Sequence, residues 1–246
     1  MLDPKEEAIF QDLKDKCREL KVPAPPEIFI GLQVHDKNGL LIFDDKQRGH
    51  SWTRNFYNWM FSQLTQSVTT GTNNYGAGYI TGKNTGGTVY YQATYGAGVS
   101  GNYYSNDSFG YKAAAGSATG VVVGTGDTAF SAEQNALVAI IPNGGTAGTF
   151  AYQLSPAATA AYTAGSKTWK GTIARVFNNN SGSSITVKET GLYWNNNTSA
   201  GGCGFFSVTT TSFMVERSVL SPTVAVANGA QLTVTYEISM DFSAIG

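Results

Sequence analysis

Residues 4–20 place Ile9, Leu13, Cys17 and Leu20 at helical spacing and cover the other faces with charge. This predicts an amphipathic helix with one narrow apolar stripe. Asp3 can cap it, Pro4 suits the first helical turn, and Glu6 and Glu7 favour the positive end of the dipole. So narrow a stripe serves either to lie on the chain's own body or to grip a partner, as an anchor helix or an oligomer seam. The run Val22-Pro23-Ala24-Pro25-Pro26 ends the helix, because proline lacks an amide donor and biases the preceding residue towards extended geometry. It reads as a short semi-rigid spacer. Residues 27–35 and 40–44 are β-rich runs around Asp36-Lys37-Asn38-Gly39. Asn-Gly in that setting predicts a hairpin closed by a type I′ turn. Ser51 then reads as the cap of a second helix reaching Leu64, whose Trp52, Phe56, Trp59 and Met60 make a wide aromatic side. That side suits a core helix under the hairpin or, since aromatics dominate interface anchors, a subunit contact.

Beyond residue 118 the pattern changes to short runs of period two separated by turns. Strands are predicted at 120–123, 149–154, 168–177, 184–194, 205–216, 223–226 and 231–242. Alternation is clearest in Leu232-Thr233-Val234-Thr235-Tyr236-Glu237-Ile238 and in Ile185-Thr186-Val187-Lys188-Glu189, which marks half-buried antiparallel strands. Asn/Gly/Ser clusters at 178–182, 195–202 and 227–229 supply the turns. The fold class expected is mainly β: an antiparallel β-sandwich or jelly-roll-like body, with an N-terminal helix and a hairpin-plus-helix attachment region. Three pieces follow: an attachment region at 1–65, a Gly/Tyr/Thr-rich insertion at 66–118 and the sandwich at 119–246. In the insertion, Tyr75-Gly76-Ala77-Gly78 recurs as Tyr95-Gly96-Ala97-Gly98, too few copies for a solenoid. Its many tyrosines with Gly, Ser and Asn are the composition of ordered, adaptable contact surface.

Charge sharpens this division. Nineteen of the 33 Lys, Arg, Asp and Glu residues lie in 1–60, and 26 of the 29 glycines lie after it. A net charge of −1 with no basic stripe argues against a nucleic-acid partner. No apolar run is long enough to span a membrane, and the acidic opening Met1–Glu7 lacks the apolar core of a secretory signal. Cys17 and Cys203 are therefore expected as unpaired thiols in a reducing cytosol.

Little in the sequence supports catalysis. His35 and His50 have no partner at metal-ligand spacing, so no metal or other cofactor is expected. After residue 60 the carboxylates are Asp107, Asp127, Glu133, Glu189, Glu216, Glu237 and Asp241. Glu189 and Glu216 could form a glycosidase pair only by facing one another across strands, and each sits beside a base, Lys188 or Arg217. Val123-Gly124-Thr125-Gly126-Asp127 lacks the Lys-Ser/Thr of a phosphate loop and reads as a turn.

Four segments carry a resemblance. They are the Val123-Gly124-Thr125-Gly126 turn; the run Asn179-Asn180-Ser181-Gly182-Ser183-Ser184-Ile185-Thr186-Val187-Lys188-Glu189-Thr190-Gly191-Leu192-Tyr193; Arg217-Ser218-Val219-Leu220-Ser221-Pro222; and Leu232-Thr233-Val234-Thr235-Tyr236-Glu237-Ile238. In this order and spacing they resemble a set recurring in structural proteins of tailed bacteriophages, over residues 120–242. Gly49-His50-Ser51-Trp52-Thr53-Arg54-Asn55-Phe56 is similar to the N-terminal part of such proteins. The resemblance implies a non-enzymatic virion component, a capsid-decoration or head-fibre subunit made in the host cytoplasm. Its partners would be other virion proteins, major capsid or tail, and further copies of itself. Ile9, Leu13, Cys17, Leu20, Trp52, Phe56, Trp59 and Met60 are then the candidate attachment residues. The alternative is a tail, baseplate or receptor-binding protein whose β domain binds a host-surface glycan, with Trp169, Tyr193 and Trp194 as candidate stacking residues.

Overall fold

The computed structural model describes residues 4–49, 51–65, 81–91, 113–199 and 208–243. Helix α1 (Pro4–Leu20) precedes β1 (Glu27–His35), β2 (Leu41–Arg48), the two-residue β3 (Ser51–Trp52) and helix α2 (Arg54–Thr65). A small hairpin of β4 (Thr81–Lys83) and β5 (Val89–Tyr91) follows. The remaining strands are β6 (Gly120–Gly124), β7 (Ala151–Tyr152), β8 (Thr159–Thr163), β9 (Thr168–Asn178), β10 (Ile185–Ser199), β11 (Val208–Val226) and β12 (Gln231–Asp241).

The protein is a mainly-β sandwich of two antiparallel sheets packed on one another. The larger runs β2-β1-β12-β9-β7 with β8 also on β9, and the smaller runs β3-β11-β10-β6. Four consecutive strands, β9 to β12, follow a Greek-key path: β10 and β11 pair in one sheet while β9 and β12 pair in the other. Period-two sequence becomes inward and outward faces. Ile28, Ile30, Leu32 and Val34 of β1 and Leu232, Val234 and Tyr236 of β12 are buried in one cluster with Val187, Leu192 and Val224 of the smaller sheet.

The sandwich is therefore not confined to 119–246. β1 pairs with β12 from Glu27↔Ser239 to His35↔Gln231, and β3 pairs with β11. The N-terminal hairpin completes both the larger sheet and its core, because the alternating Ile/Leu/Val of β1 has nowhere else to be buried. Other expectations also shift. Ser51 does not cap a helix; Ser51-Trp52 is taken by β11 as a short strand, and α2 starts at Arg54. The β1–β2 turn is not type I′, since only Gly39 has positive φ (81°). Its fourth residue, Gly39, donates to Asp36 O at 3.0 Å, and the Asp36 carboxylate accepts from the N–H groups of Asn38 and Leu40. This is a type I turn with a glycine bulge. The runs predicted at 205–216 and 223–226 are joined in the single strand β11. Strands β8, β4 and β5 lie outside the predicted set; β8 is exposed along its whole length, so no alternation announces it. The Tyr-Gly-Ala-Gly echo, Cys203, His50 and most of the insertion's tyrosines lie outside the described residues.

Candidate functional site

Four of the body's scarce charges lie inside it. Residues 61–246 contain two arginines, Arg175 and Arg217, and both are fully buried, as are Glu189 and Glu216. Buried charges of this kind need partners, and each of the four has them.

Strand β6 ends at Gly124, and the chain then folds back over the outer face of the smaller sheet. Glu189 of β10 and Arg217 of β11 meet beneath this loop, Oε2 to Nε at 2.7 Å, with no exposure of either side chain. Glu189 also accepts from the backbone N–H groups of Gly126 (3.1 Å), Val138 (3.2 Å) and Ala139 (2.8 Å). Arg217 also donates from Nη1 to Gln134 Oε1 (3.0 Å) and from Nη2 to Thr128 O (2.9 Å). A Cβ on Gly124 would lie 2.5 Å from Glu189 Oε1 and 2.6 Å from Ala139 O, and one on Gly126 would lie 2.6 Å from Glu189 Oε1. Both glycines are thus set by close approach. The Gly-x-Gly turn does cradle an anion, and that anion is the chain's own carboxylate.

Glu216 precedes Arg217 on the same strand and so faces the opposite way, into the sandwich. The Tyr236 hydroxyl of β12 donates to Glu216 Oε2 at 2.6 Å, and Ser218 Oγ donates to Oε1 at 2.5 Å. Tyr236 Oη also lies 3.2 Å from Thr190 Oγ1, whose own proton goes to Val122 O at 3.0 Å. Burial pushes the Glu216 carboxyl up to about 7, against the opposing pull of Ser218, Tyr236 and the Arg217 charge. Tyr236 is raised well above its ordinary value, chiefly by burial and then by the Glu216 charge. Glu189 and Glu216 therefore lie on opposite faces of one sheet, an arrangement that cannot flank a glycosidic bond.

Arg175 stands between Ile173 and Phe177 on the inner face of β9. Its Nε donates to Gln153 O (3.0 Å), Nη1 to Thr119 O (2.6 Å) and Val121 O (3.2 Å), and Nη2 to Ala114 O (2.9 Å). The guanidinium also lies 4.7 Å from the Tyr152 ring centroid. Burial lowers its pKa to about 10, which leaves it cationic at neutral pH. One side chain thus ties β9 to the stretch where the chain enters β6.

The sequence-predicted attachment residues divide. Helix α1 lies on its own body, but through Glu7, Phe10, Lys14 and Cys17. Arg48 stacks 3.8 Å from the Phe10 ring centroid and pairs with Glu7 and Glu27, each at 2.7 Å, while Lys14 pairs with Glu27. Of the expected stripe only Cys17, a free thiol, is buried; Ile9, Leu13 and Leu20 are exposed at 70%, 37% and 73%. The aromatic side of α2 is turned towards the body: buried Trp52 of β3 stacks on Phe56 with centroids 4.0 Å apart, Trp59 meets Trp194 edge-on at 4.7 Å, and Met60 is half-buried. Asn55, at the start of α2, brackets Lys83 by accepting from its N–H and donating to its carbonyl, which pins the β4–β5 hairpin to the body.

Two of the three glycan-stacking candidates are buried and present no ring to a ligand. Tyr193 and Trp194 are core residues, Tyr193 being held by the Leu137 N–H on its hydroxyl at 2.7 Å. Trp169, folded over Gly171 and 37% exposed, keeps an accessible ring. The buried arginines carried a signal in phase rather than type: Arg175 shares the inward period of Ile173 and Phe177.

No family model, no curated protein and no solved structure matches the chain. Fold and interior together define a class: a mainly-β sandwich whose loops are clipped to it by buried charge.

Proposed function

We propose that this chain is a non-enzymatic structural subunit of a tailed-bacteriophage virion, a capsid-decoration or head-fibre component that works as a homo-oligomer. One observation carries the reading. The four segments that resemble phage structural proteins are scattered over 120–242, yet their residues meet in space: Gly124 and Gly126 close on Glu189, Glu189 pairs with Arg217, and the neighbouring Glu216 bonds Tyr236. The four resembling segments thus pack against one another in the fold. The buried carboxylates are also all engaged in holding loops and sheets together, which suits a stable building block more than a reactive site. Low surface charge on the body lets many copies pack without mutual repulsion.

The test is immunogold labelling of phage particles that carry the chain with an epitope at its C-terminus. Label over the head supports a decoration or head-fibre role, and label on the tail moves the subunit to the alternative site. Particles free of the chain by label and by mass spectrometry overturn the reading. A glycan array run with the same protein separates the receptor-binding alternative, which requires binding that is lost in Trp169→Ala.

A further inference from the structure

We infer that the exposed stripe of α1 is a homodimer seam, on which the α1 of a second copy lies antiparallel. Helix α1 is docked through Glu7, Phe10, Lys14 and Cys17, and Ile9, Leu13 and Leu20 remain exposed. At about 100° per residue these three fall in one narrow sector, roughly a quarter turn from the docked face. The stripe therefore looks along the body surface, to the side of the docked face.

The charges in the stripe select the occupant and its direction. Glu6 and Lys16, both exposed, flank the apolar residues three positions before Ile9 and three after Leu13. If two copies run antiparallel with Leu13 of one against Ile9 of the other, the same register sets Lys16 of each copy against Glu6 of its mate. The two-fold axis generates both apolar layers and both ion pairs from one surface, as an isologous interface requires. A parallel arrangement would instead oppose Glu6 to Glu6 and Lys16 to Lys16, a like-charge penalty that excludes it. Lys16 now pairs with Asp12 on the same helix at 2.6 Å, with both side chains largely exposed, so it needs little rearrangement to reach across.

Multi-angle light scattering of the full chain across a concentration series tests this. The wild type is expected to pass from monomer to dimer mass as concentration rises. Leu13→Glu should abolish the dimer, and Lys16→Glu should weaken it at least tenfold while circular dichroism of the sheets stays unchanged. The charge swap Glu6→Lys with Lys16→Glu should restore dimerisation to within about threefold of wild type. A wild-type chain that stays monomeric at its solubility limit overturns the seam, and a swap no better than Lys16→Glu alone overturns the antiparallel register. Either failure leaves the virion reading standing, because particle labelling does not depend on which surface joins the copies.

Discussion

Arg217 and Glu189 face each other at 2.7 Å on adjacent strands, with neither side chain exposed. Three backbone N–H groups complete the carboxylate and two oxygens complete the guanidinium, so the pair closes the loop after β6 over the sheet. Replacing Arg217 with Met leaves a buried carboxylate without its cation, and should cost about 3–5 kcal/mol of stability. Urea unfolding at pH 7 measures this. The double variant Glu189→Met with Arg217→Met should lose clearly less than the two single losses added, as coupled neighbours do. Simple additivity would show that the pair does not act as a unit.

Glu216 gives stability a pH dependence of unusual sign. Its folded pKa of about 7 lies above the ordinary 4.5, so between these values the folded state holds a proton that the unfolded state has released. Stability from this group is complete below about pH 4.5 and is lost as pH rises through about 7, with a span of about 3 kcal/mol in order of magnitude. Glu237, lowered by its hydrogen bonds with Lys170 and Lys46, and Asp241, lowered by Ser243, work in the opposite sense and act only at acid pH. The difference between wild type and Glu216→Gln therefore isolates the buried group. The variant should lose the decline between pH 5 and 8 and be the more stable protein at pH 8. Parallel pH profiles for the two proteins would refute the assignment.

Most strands were legible in the sequence because their periodicity and their burial have one cause. β12 alternates over its buried half because it lies between β1 and β9 with a core on one face. The α1 stripe was legible as a helix but not as to which face docks, since that choice is made by Arg48 and Glu27, distant in sequence and drawing Glu7, Phe10 and Lys14 inward. The aromatic face of α2 and the Tyr193-Trp194 pair could be read as surface or as core from composition; tertiary packing buries the pair in the core and lays the α2 face, half-buried, against it. The site beneath the loop after β6 was the least legible. Gly124, Glu189 and Arg217 are far apart along the chain, and only strand pairing brings them together.

Gly124 offers a direct test of close approach. A methyl group there meets a carboxylate oxygen at 2.5 Å and a backbone carbonyl at 2.6 Å, and both are tethered: Glu189 Oε1 accepts from Gly126 and Ala139, and Ala139 O accepts from the Thr125 N–H. Gly124→Ala should cost about 1–3 kcal/mol by overpacking. Gly145→Ala, where an added Cβ meets nothing within 4 Å, should stay within about 0.5 kcal/mol of wild type. Thermal unfolding of the two variants decides it, and equal melting temperatures would remove the steric argument.

Arg175 separates charge from geometry. Its four acceptors are backbone carbonyls of Ala114, Thr119, Val121 and Gln153, spread around one planar guanidinium. Lysine keeps the positive charge but gathers its donors on a single nitrogen, so it cannot span that fan of oxygens. Arg175→Lys and Arg175→Met should both destabilise the fold by about 2–4 kcal/mol, since each strands several buried carbonyls. Hydrogen exchange should show the loss concentrated at residues 114–121, which Arg175 ties to β9. If Arg175→Lys retains wild-type stability while Arg175→Met does not, the site needs only a cation, and the fixed fork of donors is not what holds the chain where it enters β6.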